Sequence, residues 1–141
     1  MQALEALARL ILCLPGAAPG LASAVERLRA FDSKAHLAYV LNAAAAIAFK
    51  AGNFAEASSA AEDALVAAET TRRVCEVVNS RALLARVLAA QGDSSGARRW
   101  FDPILARVRD CDGLSARAHA AGLLAAEALG LRIPTVDQTL F

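Results

Sequence analysis

HLAYVLNAAAAIAFKAG, His36 to Gly52, runs directly into NFAEASSAAEDALVAAE, Asn53 to Glu69, and the junction between them decides the fold. Leu37, Ala38, Val40, Leu41, Ala44, Ala45, Ile47 and Ala48 make the stretch from Lys34 to Ala51 apolar almost all round, which is the pattern of a helix enclosed by other helices. Gly52 can adopt the left-handed geometry that ends such a helix. Asn53, with Glu56 three positions on, has the composition of a capping box that opens the next. That next helix, Phe54 to Glu69, carries Phe54, Ala57, Ala61, Ala64, Leu65 and Ala68 on one side and Ser58, Ser59, Glu62, Asp63 and Glu69 on the other. So short a turn predicts an antiparallel helical hairpin.

Working outward, Gly92-Asp93 restates Gly52-Asn53 and Ala97 restates Ala57, at an offset of 40 residues. The periodicity predicts a helix from about Arg72 to Gln91, with Val74, Val77, Val78, Leu84, Val87 and Leu88 inward and Thr70 or Thr71 as its cap. Another runs from the Asp93 cap to about Arg109, and Pro103 inside it is expected to kink it. Asp110-Cys111-Asp112-Gly113 is a turn, and a helix from Leu114 to Leu129 ends at Gly130. Upstream, Gln2–Leu14 is stopped by Pro15-Gly16, and a further helix covers about Pro19 to Phe31. The expected organisation is one domain over 1–141: a weak first hairpin at 1–32, hairpins at 33–70 and 72–109, and a terminal helix with its tail at 113–141. Hairpins that cannot bury their own apolar faces must finish one another by stacking.

Composition agrees with an all-α class. The chain of 141 residues is 57% hydrophobic but only 5% aromatic, so its core must come from closely approaching alanine-rich helices filled in by leucine. A net charge of +1 gives no global drive toward nucleic acid. Cys13, Cys75 and Cys111 form no CxxC pair, which fits a reduced compartment and small apolar packing roles. The first residues lack a basic leader region and carry Glu5 and Arg9, so a soluble cytoplasmic protein without a membrane span is expected.

AGNFAEASSAAEDAL, Ala51 to Leu65, and AQGDSSGARRWFDPIL, Ala90 to Leu105, together resemble the tetratricopeptide-repeat (TPR) family through Gly52-Asn53-Phe54, Ala57 and Ala64, and through Gly92-Asp93, Ala97 and Phe101. The likeness covers Lys34 to Arg109. It departs from the family in its period near 40, in alanine at the close helix crossing and in Ile104 at a usual alanine. The resemblance implies a short right-handed TPR-like solenoid of about seven helices, with the first helix of each hairpin lining a concave groove. On that basis Tyr39, Asn42, Phe49, Lys50, Asn79, Arg86 and Arg117 are the candidate partner-binding residues. Asn42 and Asn79 also stand out by themselves, since each interrupts an apolar helix and needs either internal hydrogen bonds or a ligand.

Catalytic and metal chemistry is not legible. His36 and His119 are the only histidines, and there is no HxxxH, paired-cysteine or phosphate-loop pattern. Glu62-Asp63 point in different directions on a helix and cannot share a substrate. The sequence is therefore read as non-enzymatic, with no catalytic residue, cofactor or metal. It is expected to be an interaction or regulatory scaffold for a protein or peptide, with a possible homodimer through a solenoid end. Two alternatives remain. A large pocket lined by Tyr39, Phe49 and Leu84 would favour a small-molecule-sensing accessory domain of a bacterial regulator. Salt-sensitive duplex binding through the arginine-rich half, around Arg98, Arg99, Arg107 and Arg109, would favour a nucleic-acid-associated regulator, although Asp102 and Asp110 dilute that charge.

Overall fold

The computed structural model describes residues 34–134. They form five α-helices: α1 (Lys34–Lys50), α2 (Phe54–Thr70), α3 (Val74–Ala90), α4 (Ser94–Asp110) and α5 (Ala116–Ala128). No strand occurs among the described residues. The predicted helices at Gln2–Leu14 and Pro19–Phe31, Cys13 and the tail from residue 135 lie outside them.

The first four helices have 17 residues each. They are joined by turns of one design, in which a left-handed residue recurs at Gly52 (φ 80°), Arg72 (φ 54°) and Gly92 (φ 84°). In each turn that residue donates its N–H three positions back, Gly52 to Phe49, Arg72 to Glu69 and Gly92 to Ala89. The following residue donates five back at 2.9 Å, Asn53 to Ala48, Arg73 to Ala68 and Asp93 to Leu88. This is the Schellman pattern, which satisfies carbonyls that a helix end leaves unpaired. Backbone bonds thus set the turns, and two cap expectations are corrected. The Asn53 side chain makes no cap hydrogen bond. The Thr70 and Thr71 hydroxyls bond back to the Val66 and Ala67 carbonyls, each at 2.8 Å, closing α2 where the sequence suggested that they open α3. Asp93 does cap, accepting from Gly96 N–H at 2.9 Å.

Arg72 fills a glycine position with a side chain that opposes a left-handed backbone. Arg72→Gly is therefore expected to raise stability by about 0.5–1 kcal/mol, the strain relieved being partly offset by the entropy that glycine adds to the unfolded chain. An urea midpoint at or below the wild-type value would count against this turn.

Alanine determines how closely the helices pack. Ala38, Ala45, Ala57, Ala61, Ala64, Ala68, Ala85 and Ala97 are fully buried, whereas the largest fully buried side chains are Phe101, Leu84, Val40, Val78, Val87 and Val108. One apolar cluster joins α1 and α2 through Leu37, Leu41 and Ala64. A second joins α1, α2 and α3 through Ala45, Ala61, Leu65, Leu83 and Leu84. The third joins α3, α4 and α5 around Phe101. α3 packs against all four other helices and stands at the centre of the described chain. The short right-handed TPR-like solenoid of about seven helices is accordingly corrected to an all-α bundle of five helices among the described residues. Small side chains let one helix be approached from several sides at once.

α4 remains one helix through the exposed Pro103. Its partner α5 begins at the Ser115 cap, whose side chain accepts from Ala118 N–H at 3.2 Å. Gly122 makes the α4–α5 contact possible, since a Cβ there would lie 2.5 Å from Val108 Cγ2 and 2.8 Å from its Cγ1. Val108 is β-branched and fully buried, so it has little freedom to yield. Overpacking costs about 2 kcal/mol and the helix propensity of alanine over glycine returns about 1. Gly122→Ala should therefore lose about 1 kcal/mol net in chemical denaturation, and a gain would show that the helices can part.

Candidate functional site

α1, α3 and α5 lie side by side and enclose a surface groove of about 300 Å³. α1 lines it with Asn42, Ala46 and Lys50, α3 with Asn79, Ala82, Leu83 and Arg86, and α5 with Arg117, Ala120, Ala121 and Leu124. The spacing explains the selection. Asn42, Ala46 and Lys50 are successive i, i+4 neighbours, and Asn79, Leu83 and Arg86 follow the same stripe on α3.

The groove lining brings together five of the residues singled out in the sequence: Asn42, Lys50, Asn79, Arg86 and Arg117. Tyr39 and Phe49 support it from beside. The Arg117 guanidinium stands 4.7 Å from the Tyr39 ring centroid, and that of Arg86 stands 4.5 Å from Phe49. Phe49 also meets Phe54 across the first turn, with centroids 5.6 Å apart. These cation–π contacts fix the directions of two long, flexible side chains.

The two asparagines have different surroundings. Asn42 Nδ2 donates to Glu76 Oε2 at 2.8 Å and to the Glu76 carbonyl at 3.1 Å, while its Oδ1 accepts from Ser80 Oγ at 2.9 Å. Ser80 Oγ also approaches the Glu76 carbonyl at 2.9 Å. Glu76 completes the cluster by accepting from Arg117 Nη1 at 2.8 Å. Asn42, Glu76 and Ser80 are buried, so this network ties α1, α3 and α5 together by directional bonds. Asn79, in contrast, is only 7% exposed, and its Nδ2 has no hydrogen-bond partner among the described residues.

Glu76 and Ser80 were missed in the sequence, although a signal existed. Asn79 and Ser80 lie three and four residues after Glu76, so three polar residues share one face of α3 where an apolar stripe would be usual. Glu76 also sits in the first turn of α3, where a carboxylate suits the helix dipole.

The arginine-rich segment is largely matched by acids. Arg98 pairs with Asp102 at 2.9 Å, Arg109 with Asp110 at 3.0 Å and Arg107 with Asp112 at 3.9 Å. The hydrogen bond from Arg109 holds the Asp110 carboxyl below its ordinary pKa. Arg81 lies over the Trp100 ring at 5.5 Å and reaches Glu69 at 3.8 Å. Cys75 is partly buried, its Sγ 3.7 Å from the Gly113 carbonyl and 3.4 Å from Ser115 N. Cys111 is exposed and left-handed (φ 51°), which corrects its reading as a packed apolar residue. Among the described residues no group of three His, Cys, Asp or Glu side chains could hold a metal ion, and no helix is long and apolar enough to cross a membrane.

Comparisons with protein-family models, with curated proteins and with solved structures find no match. The groove's own chemistry carries the functional reading.

Proposed function

We propose that this bundle is a protein-interaction module that seats an extended peptide segment in the groove between α1, α3 and α5. The observation that carries the reading is the Asn79 amide, nine-tenths buried on the groove wall with a donor that has no partner among the described residues. An orphaned buried N–H costs roughly 1–3 kcal/mol, and a main-chain carbonyl from a bound peptide would remove that cost. The wall offers donors and small apolar side chains, the combination that an extended backbone with intermittent apolar residues can use. A small-molecule pocket is less well supported, because Tyr39 and Phe49 lie against arginines and Leu84 is 2% exposed within the core.

Asn79→Leu separates function from folding. Exchanging an orphaned donor for an apolar group of similar shape should raise stability by about 1 kcal/mol. The same exchange should weaken, by about tenfold or more, peptides selected from a phage-displayed random library on the wild-type protein. Loss of stability in the variant, or unchanged peptide affinity, would contradict this assignment.

A further inference from the structure

The groove region already holds one carboxylate, supplied by the chain itself. Glu76, 8% exposed, receives Asn42 on Oε2 and Arg117 on Oε1, each at 2.8 Å, so an amide from α1 and a guanidinium from α5 close on an acid from α3. Asn79 and Arg86 offer the same two functional groups two turns apart on α3, with no acid between them. Arg86 makes no ion pair among the described residues, and its one specific contact is the face of Phe49. Burial pushes its pKa below the ordinary arginine value, and no carboxylate opposes that effect. A partly buried cation without a counter-ion is unfavourable, yet Arg98, Arg107 and Arg109 on the open surface of α4 each have one. Lys50 adds a second cation to the same groove, and no Asp or Glu lines it.

We propose that Lys50 and Arg86 form a subsite for an acidic side chain of the bound peptide, whose oxyanion pairs with these cations while a neighbouring main-chain carbonyl accepts from Asn79. This rests on the peptide reading and narrows it to an acidic segment. Arg117 lies outside the subsite, because Glu76 holds it; its role is to wall the groove against Tyr39. Carboxylate and phosphoryl oxygens share the required chemistry.

The test is selection of a phage-displayed random peptide library on the wild-type protein, on Asn79→Leu and on a Lys50→Gln/Arg86→Gln variant, with circular dichroism confirming each fold. Peptides selected on the wild type should be enriched in Asp and Glu, and a synthetic one should bind about tenfold more weakly once its acid is changed to glutamine. The double variant should show the same loss and little salt dependence. Comparing glutamate and phosphoserine versions of that peptide tells which oxyanion the subsite prefers, and preference for either over glutamine supports the subsite. Peptides no more acidic than the input library, or equal binding by the double variant, would overturn it. If those neutral peptides still depended on Asn79, the peptide-binding reading would stand without the subsite; if they did not, both would fall.

Discussion

Phe101→Ala is expected to lose about 3–5 kcal/mol, the largest effect of any single truncation in the bundle. Phe101 is fully buried on α4 and packs among Val78, Ala82 and Ala85 of α3, Ala97, Ile104 and Val108 of its own helix, and Ala118, Ala125 and Ala126 of α5. Six of these nine neighbours are alanine. An alanine has no side-chain rotamer with which to fill a void, so the alanine-lined part of the cavity could close only by helix movement. Truncation should therefore fall at the costly end of the range for its chemistry. Domains of this size have total stabilities of about 5–15 kcal/mol, so a large share would be lost. Urea unfolding followed by circular dichroism measures it, and a loss under about 1 kcal/mol would show that the α3–α4–α5 core is less tightly packed than the burial implies.

The same dependence on alanine explains what the sequence revealed and what it concealed. Helix limits were legible wherever a glycine punctuated them: Gly52 and Gly92 adopt the left-handed caps expected of them. The turn at Arg72 is equally tight but has no glycine, and in the sequence the break at Thr70-Thr71 marks it. At the start of α5 the glycine signal misleads: Gly113 points to Leu114 as the first helical residue, whereas the cap is Ser115. How many helices α3 touches was not legible from its own periodicity. Periodicity tells which face of a helix is apolar, but not how many helices share it, and alanine looks the same in either arrangement. The groove residues Asn42 and Asn79 were visible as polar interruptions. Their different fates depend on Glu76 and Ser80, which look in sequence like ordinary solvated positions and become buried partners only once α1 is laid against α3.

Glu76→Gln should destabilise the fold by about 2 kcal/mol, although it removes no carbon and changes almost no volume. The carboxylate accepts on both oxygens, from Asn42 Nδ2 and from Arg117. A glutamine amide has one oxygen, so its NH₂ must face one of those two donors and leave a buried pair of opposed N–H groups. Arg117 can turn to solvent, its side chain being 45% exposed, which keeps the cost below that of a fully buried ion pair. Asn42 keeps the Glu76 main-chain carbonyl at 3.1 Å, which limits the loss further. Yet the effect on binding should have the opposite sign. With no acid to hold it, Arg117 becomes a third cation on the groove wall, beside Lys50 and Arg86, without an acidic partner among the described residues. An acidic peptide should then bind the less stable variant more tightly, and the gain should shrink as salt is added. A network that only stabilised the fold would predict weaker binding in step with lost stability. Measuring the unfolding midpoint and acidic-peptide affinity on one preparation of Glu76→Gln separates these roles, and a fall in both would assign Glu76 to folding alone.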